Sequence, residues 1–207
     1  MKKVVFLLSL FFFLSVSYSQ TFAQSKLLVG KKNPIVLMKT ALGTITLELY
    51  PQQAPVTVSN FERYIHEKRL KDATFYRTVT MQNQPDNKVK IEVIQGGLFD
   101  DNHPGTLPPI MLETTKMTGL HHLNGSISMA RDKPNSATSE FFICIGDQPE
   151  LDFGGRRNPD GQGFAVFGRV IKGMDVVRKI QKQPADGQLL KPRIPIREIV
   201  LKGFEHQ

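Results

Sequence analysis

Alternation of apolar and polar residues dominates the chain after residue 33 and predicts a series of short β-strands. Between Thr44 and Leu49 every second residue is apolar, which is the pattern of a half-buried strand. The apolar run Ile35–Met38 precedes it across a short connection, so the two segments predict a hairpin. Six further β-like runs are separated by Gly, Pro, Asn and Asp clusters and cover residues 74–79, 88–94, 126–129, 140–145, 164–170 and 196–201.

Two other segments repeat apolar residues at helical spacing. One runs from Pro55 to Glu67, with the proline where a first helical turn tolerates it, and the second runs from Met174 to Gln181 and ends before Pro184. Eight or so antiparallel strands with two helices far apart in sequence favour a mainly β fold. We expect a closed barrel with helical covers, because closure removes exposed strand edges.

The first residues of the chain have the order of a secretory signal peptide. Lys2 and Lys3 precede an apolar run from Val4 to Val16, and small or polar residues follow it. An apolar helix of this length would cover about 20 Å, short of the roughly 30 Å hydrocarbon core of a bilayer. We therefore expect a signal peptide at 1–23, a linker at 24–33 and one domain at 34–204. The mature protein should be exported without stable membrane insertion, to the periplasm if the cell has an outer membrane and otherwise to the medium.

Composition narrows the classes of partner. The net charge of +8 falls to +6 without the leader, because Lys2 and Lys3 leave with it. The remaining basic residues are spread in twos and threes without interleaved aromatic residues, so we expect no nucleic-acid partner. The single cysteine, Cys144, allows no internal disulfide, and its apolar neighbours predict a buried strand position. We expect a monomer.

The usual catalytic constellations are missing from the sequence. His121 and His122 are adjacent, so on a strand they would point to opposite sides and on a helix about 100° apart, and neither arrangement suits one metal ion. No serine lies in a Gly-x-Ser-x-Gly turn, and the segment 158–163 lacks the spacing of a calcium loop. We expect no metal and no cofactor.

Five sequence blocks, in this order, resemble the signature of cyclophilin-type peptidyl-prolyl cis-trans isomerases. They are Phe75-Tyr76-Arg77, Ile94-Gln95-Gly96-Gly97, Gly125-Ser126-Ile127-Ser128-Met129-Ala130, Ser139-Glu140-Phe141-Phe142-Ile143-Cys144 and Phe164-Ala165-Val166-Phe167-Gly168-Arg169-Val170. The resemblance covers about Pro34–Phe204. It implies a closed eight-stranded antiparallel β-barrel capped by two α-helices, isomerisation of Xaa-Pro bonds, and proline-containing polypeptides as partners.

The resemblance also implies a set of site residues. Arg77 is the catalytic hydrogen-bond donor, and Gln95 bonds the substrate backbone and orients the guanidinium. The walls and edge of the proline pocket are Val93, Phe142, Leu151 and Phe164. The adjoining groove for the residue before proline is formed by Ala130, Arg131 and Glu140.

Three departures from the family pattern bear on the site. About nine residues, Met81–Val89, are inserted after the Arg77 strand. Glu92 stands where the family has an aromatic pocket wall, and Glu140 replaces a glutamine, which should favour basic or polar residues before proline. The leading hypothesis is an isomerase that assists folding of exported proteins. The alternative is a non-catalytic cyclophilin-like module or chaperone that binds proline peptides.

Overall fold

The computed structural model describes residues 32–202. The expected signal peptide, most of the linker and the last two residues of the expected domain, 203 and 204, lie outside the described residues.

Nine strands form one antiparallel sheet within the described range. They are β1 Ile35–Thr40, β2 Gly43–Leu49, β3 Thr74–Val79, β4 Val93–Gly97, β5 Ser126–Met129, β6 Phe141–Cys144, β7 Ala165–Lys172, β8 Ala185–Asp186 and β9 Leu189–Leu201. The order β1-β2-β7-β5-β6-β4-β3-β9 closes on itself because β9 also pairs with β1. Eight strands therefore form the closed barrel. The short strand β8 pairs with the first two residues of β9, Leu189 and Leu190. The predicted barrel is confirmed.

Helices cover the barrel as expected, with one short addition. Helix α1 spans Pro55–His66, α2 spans Thr115–Thr118, and α3 spans Met174–Gln181, with a turn of 3₁₀ helix at Pro149–Leu151. The two longer helices match the two predicted from the sequence. The short α2 lies in the loop after β4, where no helical period was visible. No helix between residues 32 and 202 has the length and apolar character needed to cross a membrane.

The barrel interior holds the main hydrophobic core. Helix α1 inserts Phe61, whose ring lies 5.8 Å from that of Phe141 and 5.2 Å from that of Phe167. Helix α3 contributes Val177 and Ile180, both fully buried. These contacts bury the apolar face of each helix against the barrel. Such packing is the main source of stability for short amphipathic helices in proteins.

Strand β6 is buried on both of its faces. Phe141 and Ile143 belong to the barrel interior, whereas Phe142 and Cys144 belong to a second, smaller apolar cluster. Because successive side chains of a strand point to opposite faces, the second cluster lies on the outside of the barrel. The prediction of a buried strand cysteine is confirmed, and burial raises the pKa of the Cys144 thiol.

Strand β4 begins later than the sequence pattern predicted. We expected a strand over 88–94, but β4 covers Val93–Gly97. The reason is Gln84, whose buried side chain donates to the Ile91 carbonyl at 2.8 Å and accepts from the Ile91 N–H at 3.3 Å. These bonds satisfy the backbone of Ile91 outside the sheet, so the apolar alternation before Val93 does not form a ladder.

A distant carboxylate caps helix α1. Ala54 occupies the N-cap position and offers no side-chain hydrogen bond. Instead, Glu113 accepts hydrogen bonds from the N–H groups of Val56 and Thr57, at 3.0 and 2.8 Å, and from the Thr57 hydroxyl at 2.6 Å. A negative charge is favourable at the N-terminus of a helix, where the first N–H groups have no partner in the helix.

Replacing Glu113 with alanine should therefore destabilise the fold, by about 1–3 kcal/mol, because it leaves buried donors without an acceptor. Glu113→Gln should cost less, since one amide oxygen can still accept. Urea denaturation of both variants measures the effect. Equal stability of Glu113→Ala and the parent protein would show that the cap contributes nothing.

Candidate active site

Three predicted site residues lie in one row across adjacent strands. Arg77 on β3 is the direct neighbour of Gln95 on β4, and Gln95 is the direct neighbour of Phe142 on β6. Residues directly opposite one another in a sheet point to the same face, and neighbouring strands lie about 4.8 Å apart. The guanidinium, the amide and the aromatic ring therefore share the outer face of the barrel within about 10 Å.

A break in the strand register puts Arg77 on that face. Phe75 points into the core, and a residue two positions later would normally point the same way. The register between β3 and β4 shifts between Phe75 and Arg77, which leaves Tyr76 as the extra residue of a β-bulge. The bulge lets Phe75 fill the barrel while Arg77 faces the opposite side.

Neutral amides hold the Arg77 guanidinium. Its Nη1 donates to Gln95 Oε1 at 2.7 Å, and its Nε and Nη2 both donate to Gln188 Oε1, at 2.9 and 2.6 Å. Gln95 in turn donates from Nε2 to the Tyr76 hydroxyl at 2.6 Å. Burial lowers the pKa of the Arg77 guanidinium, but from a value so high that the group stays protonated at neutral pH.

The predicted pocket residues come together in the outer apolar cluster. Val93, Phe142 and Leu151 are buried there, and Ala130 and Phe164 pack against them as partly exposed members. The Phe142 and Phe164 rings meet edge to face at 5.4 Å. The structure adds three residues that sequence reasoning did not assign to the site, namely Val79, Ile91 and Cys144.

A buried histidine, His122, packs against both aromatic rings of the cluster. The His122 imidazole stacks on Phe142 at 5.8 Å and meets the edge of Phe164 at 6.5 Å. Its Nδ1 lies 2.6 Å from Asp152 Oδ1 and its Nε2 lies 3.0 Å from Ser128 Oγ. Since an ionised carboxylate only accepts, the neutral ring carries its proton on Nδ1 and accepts from the serine at Nε2. Ser128 is fully buried, so this arrangement offers no accessible nucleophile.

His121 and His122 lie neither on a strand nor on a helix, so neither of the two arrangements considered for them applies. The Nδ1 atoms of the two rings both approach Asp152, His121 at 2.8 Å from Oδ2 and His122 at 2.6 Å from Oδ1. The loop before β5 is irregular, so the alternation of a strand does not apply there. Within residues 32–202, no cluster of three or more His, Cys, Asp and Glu side chains could hold a metal ion.

Arg131 contacts the loop that ends at the pocket. Its guanidinium donates to both carboxylate oxygens of Asp160, at 2.7 and 2.9 Å, and to the Gly163 carbonyl. The side chain is only 1% exposed and stacks over the Phe164 ring at 5.2 Å. The structure therefore shows Arg131 fixing the pocket edge, and its contact with the residue before proline stays a prediction.

The two acidic departures from the family pattern are both held by hydrogen bonds from neighbouring residues. Glu92 accepts a hydrogen bond from Gln181 of α3 at 3.3 Å. Glu140 Oε1 accepts from the Ser139 hydroxyl and the Phe99 N–H. Gly97 has a φ of 145°, a conformation that favours glycine, and a Cβ there would also meet the Glu140 carboxylate. The role of Glu140 in sequence preference stays a prediction.

Several functional contacts had no signal in the sequence. Gln188 lies in a hairpin near the C-terminus that belongs to none of the recognised blocks. Tyr76 is part of a block, but its hydroxyl partner depends on the bulge. His122 and Asp152 are 30 residues apart and meet only because two loops pack together.

Comparison with known proteins shows the family of the chain. The family model described as "Cyclophilin type peptidyl-prolyl cis-trans isomerase/CLD" matches residues 35–201. The chain belongs to this family, and its activity is peptidyl-prolyl cis-trans isomerisation. The chain is 39% identical over 166 residues to a peptidyl-prolyl cis-trans isomerase of Acinetobacter baylyi, covering 79% of this chain and 80% of the relative. It is 36% identical over 171 residues to peptidyl-prolyl cis-trans isomerase A of Dickeya dadantii, covering 81% and 82%.

Solved structures agree with the fold. A Cryptosporidium parvum cyclophilin-type isomerase superimposes with a TM-score of 0.65 at 23% identity, covering 84% of this chain and 99% of that one. The same protein has also been crystallised in the presence of the dipeptide Ala-Pro.

The buried imidazole gives a pH prediction. Burial lowers the pKa of His122 against the opposing effect of Asp152. The unfolded chain, in which histidine titrates near 6.5, therefore binds more protons below that pH, and stability falls as the pH drops. Burial also disfavours ionised Asp152, but its hydrogen bonds from both histidines outweigh this, so its pKa is lowered and its contribution is lost only at more acidic pH.

The parent protein should thus lose stability between about pH 7 and about pH 5 more steeply than His122→Asn, which cannot take up the proton. Urea denaturation at the two pH values measures both slopes. Identical pH dependence would mean that His122 titrates normally in the folded protein.

Proposed function

We propose that this isomerase accelerates rotation of Xaa-Pro bonds in exported polypeptides, with Arg77 as the donor to the imide nitrogen and the Phe142 cluster as the proline site. The observation that carries the proposal is the row of Arg77, Gln95 and Phe142 on one barrel face. In this row a fixed cation lies beside an apolar pocket without a nucleophile or metal being required.

The chemistry needs no covalent step. Rotation of an Xaa-Pro amide is opposed by about 18–20 kcal/mol because the nitrogen lone pair is delocalised into the carbonyl. In the twisted transition state the nitrogen regains its lone pair and can accept a hydrogen bond. A donor fixed beside that nitrogen stabilises the transition state more than the planar ground state, which lowers the barrier.

Arg77 has donors left for this role. A guanidinium carries five N–H groups. Three of them bond Gln95 and Gln188 among the described residues, so two remain on the terminal nitrogens. The bonded groups fix the plane of the guanidinium, and the remaining groups can face a peptide bound on the same side of the barrel.

The apolar cluster supplies the binding energy. A pyrrolidine ring packed against the partly exposed Phe164, next to buried Phe142 and Leu151, buries apolar surface, while the carbonyl on the other side of the bond stays free to rotate. The C. parvum cyclophilin-type isomerase crystallised in the presence of Ala-Pro supports a proline-containing ligand.

Arg77→Ala should separate catalysis from binding. We expect a loss of at least about 2–3 kcal/mol of transition-state stabilisation, the scale of removing one preorganised donor, with proline-peptide affinity within a few-fold of the parent. Exchange NMR on a proline peptide reports rate and affinity together. Arg169→Ala is a matched control, because Arg169 is an exposed arginine that pairs with Glu48. A folded Arg77→Ala protein that isomerises as fast as the parent would disprove the proposed donor.

Phe142→Ala should instead weaken both binding and rate, because it removes a wall of the pocket. The same NMR experiment measures both quantities, and the melting temperature checks the fold, since Phe142 also contacts His122. Unchanged peptide affinity in a folded Phe142→Ala protein would place the proline site elsewhere.

The exported location is part of the proposal and rests on the signal-like sequence before residue 24. N-terminal sequencing of protein from an exporting host should give a first residue between Gln20 and Ser25. An intact Met1 in the exported, membrane-free fraction would contradict this.

A further inference from the structure

We propose that Gln188 is a positioning residue for Arg77, held in place by the inserted segment Met81–Val89. The inference rests on the proposed role of Arg77 and assigns a function to two parts of the chain that the family signature does not contain, the insertion and the β8–β9 hairpin.

Gln188 lies at the tip of a tight hairpin. Asp186 pairs with Leu189, which leaves Gly187 and Gln188 as the connecting residues, and Gly187 has a left-handed φ of 58°. The tip is bound to β3, the strand that carries Arg77, because the Thr78 N–H donates to the Gln188 carbonyl at 2.9 Å. The backbone of Gln188 is therefore fixed next to Arg77.

The amide of Gln188 can be oriented in only one way. Its oxygen accepts from Arg77 Nε and Nη2, and a guanidinium has no acceptor that could face the amide nitrogen. The nitrogen points to the insertion, where it donates to the Asn83 carbonyl at 3.1 Å. Both ends of the amide thus have hydrogen-bond partners. Gln188 holds the Nε and Nη2 side of the guanidinium, and Gln95 holds Nη1.

Asn83 connects the insertion to strand β3 and to the tip of the β8–β9 hairpin. Its Nδ2 donates to the Thr78 carbonyl at 3.0 Å and to the Gly187 carbonyl at 3.2 Å, and its Oδ1 accepts from the Thr80 N–H at 2.8 Å. The insertion itself is tied down by buried Gln84 and by Arg157, which donates to the Val89 carbonyl at 2.6 Å. These contacts make the insertion a rigid support for Gln188.

Gln95 and Gln188 hold Arg77 between them and are called the clamp here. Their neutrality matters for the chemistry. Arg77 has no carboxylate partner in an ion pair within residues 32–202, and both of its holders are amides. A carboxylate would compete with the imide nitrogen for the guanidinium charge. Two amides fix the plane of the donor and leave its full charge for the transition state.

The test compares Gln188→Met with Asp186→Asn. Methionine keeps the volume of glutamine but has no amide acceptor, so kcat should fall about ten-fold while peptide affinity stays within about two-fold. Asp186→Asn removes the exposed ion pair of the same hairpin with Lys191 and leaves the clamp intact, so its kcat should equal that of the parent.

Two further readouts separate positioning from general stability. The Arg77 Nε–H resonance, assigned by its loss in Arg77→Ala, should shift or broaden in Gln188→Met and stay in place in Asp186→Asn. In an Arg77→Ala background, Gln188→Met should have no further effect on the rate.

The outcomes distinguish this inference from the proposed function. If Arg77→Ala is slow but Gln188→Met keeps the parent rate, or if Gln188→Met slows the Arg77→Ala protein equally, the role of Gln188 is overturned and that of Arg77 stands. If Arg77→Ala keeps the parent rate, the proposed donor itself fails.

Discussion

Strand β6 must be apolar on both faces, and the site depends on this. Its inward residues Phe141 and Ile143 pack in the barrel, and its outward residues Phe142 and Cys144 form the floor of a second apolar cluster. Leu151 and Phe164, at the two ends of the loop 151–164, both pack in this outer cluster. The same strand thus links core stability to the shape of the proposed proline site.

Placing a charged donor beside that cluster creates a second requirement. The half-buried Arg77 guanidinium loses part of its hydration, so the N–H groups that face the protein need acceptors. Here the acceptors are Gln95 and Gln188, contributed by two different neighbours of β3. Neutral acceptors satisfy the geometry without neutralising the charge, which fits a group whose hydrogen bond must strengthen as the amide twists.

The aromatic residues of the cluster are also held by side chains whose polar groups have hydrogen-bond partners. His122 fills the space under Phe142 with a ring that is apolar in its faces and polar at its edge, and both ring nitrogens have partners in Asp152 and Ser128. Arg131 performs a comparable task at the rim by joining Asp160 and Gly163 beneath Phe164. Polar side chains therefore help to hold the rings of Phe142 and Phe164 in fixed positions, in addition to the packing of the loops.

Local patterns in the sequence determined the strands, the two long helices and the closed barrel, because period-two and period-3.6 alternation reflect burial of one face directly. The resemblance of five blocks identified the family and brought Arg77, Gln95 and Phe142 together as a site. The start of β4, the capping of α1 by Glu113, the meeting of His122 with Asp152 and the clamp by Gln188 were decided by tertiary structure. The cap, the His122–Asp152 contact and the Gln188 clamp are hydrogen bonds between segments far apart in sequence, whereas the bonds between Gln84 and Ile91 join residues of one loop. All are made by polar residues that carry no periodic signal, and their formation depends on how loops are placed once the barrel has closed.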